Sequence, residues 1–245
     1  MRCKRMKILL NFFYILIKFF LICDVKKYNM LTILSENFSL VNIWINELRN
    51  VDIQIDRMRF RRNLERIGEV SAFEISKKMD YEEGEITTPL DKIKVKEIAV
   101  QPVVTTILRA GVPLFQGIVN YFDKADCGFV AAYQKHEAND YFSIKQDYLT
   151  CPNIEGRPLI VADPMLATGA SLIEALRDLL TNGMPTQIHI VSAIASKQGV
   201  ESIRSAYPEA FLWVGALDEN LTPKGYITPG LGDAGDLAYG EKLQR

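Results

Sequence analysis

The sequence has no surplus of either charge: 29 Lys and Arg stand against 30 Asp and Glu, for a formal net charge of −1. A chain that grips nucleic acid through its phosphates concentrates basic residues, and a solvating tail concentrates acidic ones. Neither pattern is present. The four cysteines, Cys3, Cys23, Cys127 and Cys151, are scattered with no C-x-x-C pair. That spacing argues against a disulfide or zinc-thiolate framework and predicts reduced thiols in a cytoplasmic protein. The two histidines, His136 and His189, are too few and too distant in sequence to suggest a zinc site. No G-x-x-x-x-G-K-[ST] occurs, so the chain carries no ATPase-type P-loop.

What is present is apolar material. Of 245 residues, 48% are hydrophobic, enough for one large α/β domain or two small ones. The most informative stretch begins with Leu159 to Ala162, a short apolar run suited to a buried parallel strand. Asp163 ends it. Thr168, Gly169, Ala170 and Ser171 then supply small residues, and leucines and an isoleucine recur at helical spacing up to Leu180. A strand-turn-helix of this kind presents backbone N–H groups at the positive end of a helix dipole, where an anion is stabilised. Thr168 and Ser171 add hydroxyl donors, and Asp163 is placed to accept hydrogen bonds from hydroxyls on the same ligand. A sugar phosphate carries both groups. The plain alternative is an ordinary turn capped by Thr168 or Ser171.

Taken in order from Met30, a short apolar segment leads to Ser35, and Leu40 to Leu48 suggests an arm or partner contact. Arg59 to Lys78 carries Phe60, Leu64, Ile67 and Phe73 near helical spacing, with Met79 just beyond, which predicts an amphipathic helix packed on a sheet or partner. Residues 80–99 are charged, contain Gly84 and Pro89, and read as a connection with at most short strands. Val100 to Leu108 is a buried strand ending in Arg109-Ala110-Gly111, and a helix with Pro113 in its first turn follows. Arg109 therefore sits where open α/β sheets place ligands, able to hold a diphosphate with paired donors or, more plainly, to pair with a carboxylate. Gly128 to Tyr133 is a strand, Gln134 to Asp140 is polar, and Tyr141 to Leu149 alternates like an exposed antiparallel strand. The pair predicts a hairpin flap, with His136 solvated on its loop. Ile188 to Ala195 and Phe211 to Ala216 are further strands, separated by a helix over Gly199 to Tyr207. His189 reads as a hydrogen-bonded strand residue. The whole predicts an open, mostly parallel twisted sheet flanked by helices, with the flap and a small hood.

Near the C-terminus, Gly230, Gly232 and Gly235 match G-x-G-x-x-G, but only ten residues follow Gly235. A dinucleotide fingerprint needs a further helix and strand, so the match is a decoy. The glycines provide backbone that can approach a flat ligand closely; a structural glycine turn is the alternative.

Asp163-Pro164-Met165-Leu166-Ala167-Thr168-Gly169-Ala170-Ser171 resembles the phosphoribosyl-diphosphate (PRPP) loop of type I phosphoribosyltransferases, in the form found in uracil phosphoribosyltransferases. Ile107-Leu-Arg-Ala-Gly111 and Tyr226-Ile-Thr-Pro-Gly-Leu-Gly-Asp-Ala-Gly-Asp236 resemble two further blocks of that family, in the family's order. The resemblance runs from about Leu31 to the C-terminus. It implies transfer of the phosphoribosyl group from PRPP to uracil, giving UMP and diphosphate, a step of pyrimidine salvage. Diphosphate would leave ribose C1 with oxocarbenium character, and uracil N1 would attack. The resemblance further implies that residues 163–171 bind PRPP, with Thr168 to Ser171 on the 5′-phosphate, Asp163 on the ribose hydroxyls and Arg109 on the diphosphate. Ile227, Gly232 and Ala234 would receive uracil, whose imide edge alternates acceptor, donor and acceptor, with Asp233 at the reacting centre. Magnesium would act through PRPP oxygens and water. The family's flap carries an Arg directly after the Tyr, where this chain has Gln134. Either Lys135 substitutes for the charge or diphosphate is held less tightly. The family also implies a homodimer or higher homo-oligomer, and GTP as an effector of some members. Two other readings remain open: a phosphoribosyltransferase for another base, such as a purine, and a regulatory PRPP or nucleotide sensor, including one that binds RNA.

Residues 1–29 differ from the rest. Arg2, Lys4, Arg5 and Lys7 precede an apolar run from Ile8 to Cys23, broken by Asn11 and Lys18. The run falls short of the ~20 residues that span a bilayer, and a central lysine is costly there. A signal peptide, a short anchor and an in-frame extension upstream of a start at Met30 are the three readings. The abundance of Lys, Ile, Asn, Phe and Tyr and the lack of a small-x-small cleavage site favour the last, leaving a phosphoribosyltransferase domain over 30–245.

Overall fold

The computed structural model describes residues 30–136 and 142–241. The expectations for residues 1–29, for the flap tip and for the side chains of Gln134, Lys135 and His136 lie outside the described residues. The chain opens with β1 (Leu31–Ile33), α1 (Leu40–Arg49) and α2 (Arg57–Ser76), then β2 (Tyr81–Thr87) and β3 (Lys92–Ile98). The middle is β4 (Val103–Leu108), α3 (Val112–Val119), β5 (Asp126–His136), β6 (Phe142–Thr150) and β7 (Pro158–Ala162). After these come β8 (Met165–Leu166), α4 (Ala170–Leu179), β9 (Gln187–Ser196), α5 (Lys197–Ala206) and β10 (Phe211–Asp218). Short β11 (Asn220–Leu221), β12 (Ile227–Thr228) and α6 (Ala234–Tyr239) close it.

The main sheet runs β1-β10-β9-β7-β4-β5-β6, with β8 beside β9. Every pair is parallel except β5 with β6, the predicted hairpin flap. The strands are apolar on both sides because helices cover both faces. Val104, Ile160, Val191 and Trp213 point into one core cluster, while their neighbours Val103, Leu159, Ile190 and Leu212 point into the other. The first cluster packs against α1, α2 and α3, and the second against α4 and α5. Gly68 and Gly117 let α2 and α3 touch backbone to backbone: a Cβ on Gly117 would lie 1.9 Å from Glu65 O. That contact fixes α3 and the Arg109-Ala110-Gly111 turn that leads into it.

One sequence expectation needs correction, and two segments gain a defined structure. Residues 80–99 form a full antiparallel hairpin, registered from Tyr81↔Ile98 to Thr87↔Lys92, rather than a connection with short strands. Its period-two pattern is crowded by charges: Lys94 and Lys96 face Glu85 and Glu83 across the strands, and Lys92 faces Thr87. Leu31–Ile33 is an edge strand of the main sheet, paired with Leu212–Val214. Leu40 to Leu48 belongs to a helix, started by a capping box in which Ser39 and Asn42 satisfy each other's backbone. His189 is the strand residue expected: Nε2 meets Gln187 Oε1 at 2.9 Å and Nδ1 accepts from Trp213 Nε1 at 3.2 Å. Burial pushes its pKa down to about 3, so the ring is neutral.

Candidate active site

Strand register brings the predicted site to one end of the sheet. Thr106 lies beside Ala162, so Arg109 and Asp163 leave the carboxyl ends of adjacent strands β4 and β7. The chain turns outward from this pair in both directions, toward β5 on one side and β9 on the other. Such a switch point leaves a crevice at the strand ends.

A concavity of about 200 Å³ opens there, lined by Asp163 and by residues 165–172. Pro164 is buried beneath it rather than on its wall. Gly169 is the N-cap of α4 and adopts φ +83°, the left-handed region that favours glycine. The first N–H groups of a helix have no acceptor within it. Here they belong to Ala170, Ser171 and Leu172, which line the concavity; Ala170 N–H donates locally to Thr168 Oγ1 at 3.3 Å. Asp163 anchors its own main chain by N–H donation to Val191 O at 3.0 Å. Desolvation lifts its pKa from 3.8 to about 7, partly opposed by donation from the Met165 N–H. Near neutrality this carboxyl is poised between its charged and neutral forms.

The loop is braced from behind by α5, which sequence reasoning did not single out. Ser196 Oγ donates to Ala167 O at 2.6 Å and accepts from Gly199 N at 2.9 Å. A Cβ on Gly199 would stand 2.4 Å from Ala167 O and 2.7 Å from Leu166 O, so helix and loop are in direct contact. No motif signals this brace; a Ser before a helix reads only as a cap.

The tail reaches both halves of the crevice. A Cβ built on Gly225 would lie 4.0 Å from the Thr168 methyl, and one on Gly235 would lie 3.7 Å from Arg109 Nε. Arg109 Nη2 donates to Asp236 Oδ1 at 2.8 Å and to Gly240 O at 2.6 Å, so the carboxylate-pairing alternative is realised in this state. Asp233 is the N-cap of α6, its Oδ1 accepting from Gly235 N at 2.8 Å and Asp236 N at 3.0 Å. At the other end Arg61 Nη1 donates to Ala238 O at 2.7 Å. Of the residues expected at the base, Ile227 and Ala234 are buried in the core cluster that backs the tail, and Gly232 has φ +96°. A helix does begin at Ala234 and takes in Gly235, but it has six residues and no strand beyond it among the described residues. The dinucleotide pattern is a decoy, as expected.

A family model described as uracil phosphoribosyltransferase matches residues 36–241. A uracil phosphoribosyltransferase of Porphyromonas gingivalis is 49% identical over 211 residues, which is 86% of this chain and 98% of that one. One from Thermococcus gammatolerans is 39% identical over 204 residues, 82% of this chain and 89% of that one. The solved structure of the AQ2163 protein from Aquifex aeolicus superposes with a TM-score of 0.77 at 31% identity, covering 88% of this chain and 100% of that one. With a concavity at a helix N-terminus at the switch point and matches of this extent, the chain belongs to the uracil phosphoribosyltransferase family.

Proposed function

We propose that the chain transfers the phosphoribosyl group of PRPP to uracil, forming UMP and diphosphate. The observation that carries this reading is the cradle lined by Asp163 and residues 165–172 at a helix N-terminus, in a chain of this family. The N–H groups after Gly169 and the hydroxyls of Thr168 and Ser171 bind the 5′-phosphate. Ionised Asp163 accepts hydrogen bonds from the ribose hydroxyls. Arg109 neutralises charge on the departing diphosphate; on the flap Lys135 can add charge, whereas Gln134 can offer only a neutral hydrogen bond. The tail receives uracil at Ile227, Gly232 and Ala234, and Asp233 orients N1 or takes its proton. No strong protein nucleophile is needed: positioning and charge neutralisation favour the transition state.

Magnesium fits this site as a partner of the substrate. Among the described residues no group of three His, Cys, Asp or Glu side chains converges, and Asp163 is the one carboxylate on the cradle wall. An ion that keeps most of its water shell suits such a wall. When bound it supplies positive charge to the diphosphate. The exposed β2–β3 hairpin, with Ile86, Ile93 and Leu90 uncovered, supports a homodimer or larger homo-oligomer, since a lone two-stranded hairpin is marginal in water. No described helix is long and apolar enough to cross a membrane.

The deciding measurement is UMP formation from uracil and PRPP with magnesium, run against hypoxanthine, guanine and adenine as competitors. Product from uracil supports the reading. Product from a purine alone assigns another base, and no product with either substrate class leaves the sensor reading.

A further inference from the structure

Gly230 sits in the middle of the glycine-rich tail, and both of its main-chain polar groups are held from outside that segment. Its N–H donates to Asp218 Oδ2 at 2.9 Å, and its carbonyl accepts from Arg49 Nη1 at 2.9 Å. Arg49 also grips Asp218 with two parallel bonds, Nη2 to Oδ1 at 2.7 Å and Nη1 to Oδ2 at 2.8 Å. Asp218 is the last residue of β10 and its side chain is 6% exposed; Arg49 is the last residue of α1. Gln54, with its amide turned to suit its neighbours, donates to Leu48 O at 3.0 Å and Leu231 O at 2.8 Å. The first helix, the turn that follows it and the end of β10 therefore hold three main-chain groups of residues 230–231. The turn they grip is tight: Gly230 has φ +60°, and a Cβ there would lie 2.0 Å from Ile227 O.

A covered ion pair is a poor source of net stability, because desolvating the two charges offsets their attraction. What a two-pronged guanidinium–carboxylate pair supplies is fixed geometry. We propose that Arg49, Asp218 and Gln54 are positioning residues for base recognition. They lock residues 230–231 so that the main chain from Ile227 to Ala234 presents its donors and acceptors in the register that a pyrimidine imide requires. The proposal rests on the tail being the base site.

The test is steady-state kinetics of the full chain with uracil and PRPP varied separately, alongside thermal melting. Arg49→Lys keeps the charge but cannot grip both carboxylate oxygens and the Gly230 carbonyl at once. It should raise KM for uracil about tenfold or more while leaving KM for PRPP within about twofold, because misplaced recognition groups cost far more than small shifts suggest. Gln54→Leu should move uracil KM the same way, by about threefold, through loss of its neutral hydrogen bond to Leu231 O and of the one to Leu48 O that anchors the amide. If Arg49→Lys does not fold, Gln54→Leu decides. Unchanged uracil KM, or both KM values rising together, overturns the clamp. A wild-type chain that makes no UMP overturns the base-site reading first, and the clamp with it.

Discussion

Arg109 and Asp236 meet at 2.8 Å, joining the end of β4 to the last helix. The contact with Asp236 and the one with Gly240 O both use Nη2, one nitrogen of the guanidinium fork. The pair is over a third exposed on the arginine side, and such pairs contribute only about 0.2–1 kcal/mol. Arg109→Ala should therefore lower the melting temperature by no more than about 4 °C. It should cut kcat/KM for PRPP roughly 10–100-fold, the value of charge-assisted hydrogen bonds to a diphosphate. Calorimetry and initial rates on one preparation check both halves.

Asp163 links pH to stability and to binding. Its folded pKa, about 7, lies above the ordinary 3.8. Between those values the folded chain keeps a proton that the unfolded chain has lost, so stability falls as pH rises through this window and levels off above 7. Asp163→Asn cannot ionise, and should match wild type near pH 4 yet exceed it by about 1–3 kcal/mol near pH 8 in urea melts. The ionised form accepts the ribose hydroxyls, so wild-type kcat/KM for PRPP should climb up to pH about 7 and then flatten. In the asparagine variant that limb should vanish along with most activity.

Asp233 has a structural duty that the sequence did not reveal, and two substitutions separate it from chemistry. Asparagine caps a helix as well as aspartate, whereas Asp233→Ala should cost about 1 kcal/mol of stability. If the carboxylate handles N1, Asp233→Asn should melt like wild type and still lose about 10²-fold or more in turnover. Near-normal turnover in the asparagine variant would leave capping as its whole role.

The brace behind the phosphate loop can be tested far from any ligand. Gly199→Ala puts a methyl against Ala167 O and Leu166 O, and overpacking of this kind costs about 1–3 kcal/mol. Because the strain falls on the loop backbone, KM for PRPP should rise about tenfold while uracil KM holds.

On the flap, Gln134 lies in β5 across from Ile144. Gln134→Arg should lower KM for PRPP roughly three- to tenfold if a missing charge limits diphosphate binding. An unchanged value would show that Lys135 already serves.

The phosphate cradle was legible because it is contiguous: strand, acid, small residues and helix follow one another within one stretch, and each has a local signature. The β2–β3 hairpin was not, because its charges dominate: lysines and glutamates fill most of one face, and Glu82 and Glu97 interrupt the other, where Ile86, Ile93 and Val95 sit. The two duties of Asp233 overlap in one side chain, and only the position of Ala234 as a helix start exposes the second. Arg49 and Asp218 are 169 residues apart, and nothing in either neighbourhood names the other. Their meeting follows from β10 and α1 being placed by the core, a consequence of packing that no local pattern carries.

The narrow strand at residues 31–33 shields the flank of β10, where Leu212 N–H also donates to Met30 O at 2.7 Å. A shortened chain starting at Met30 keeps that cover. One begun past Leu34 would bare a long apolar border of open amides, an invitation for copies to zip together and precipitate.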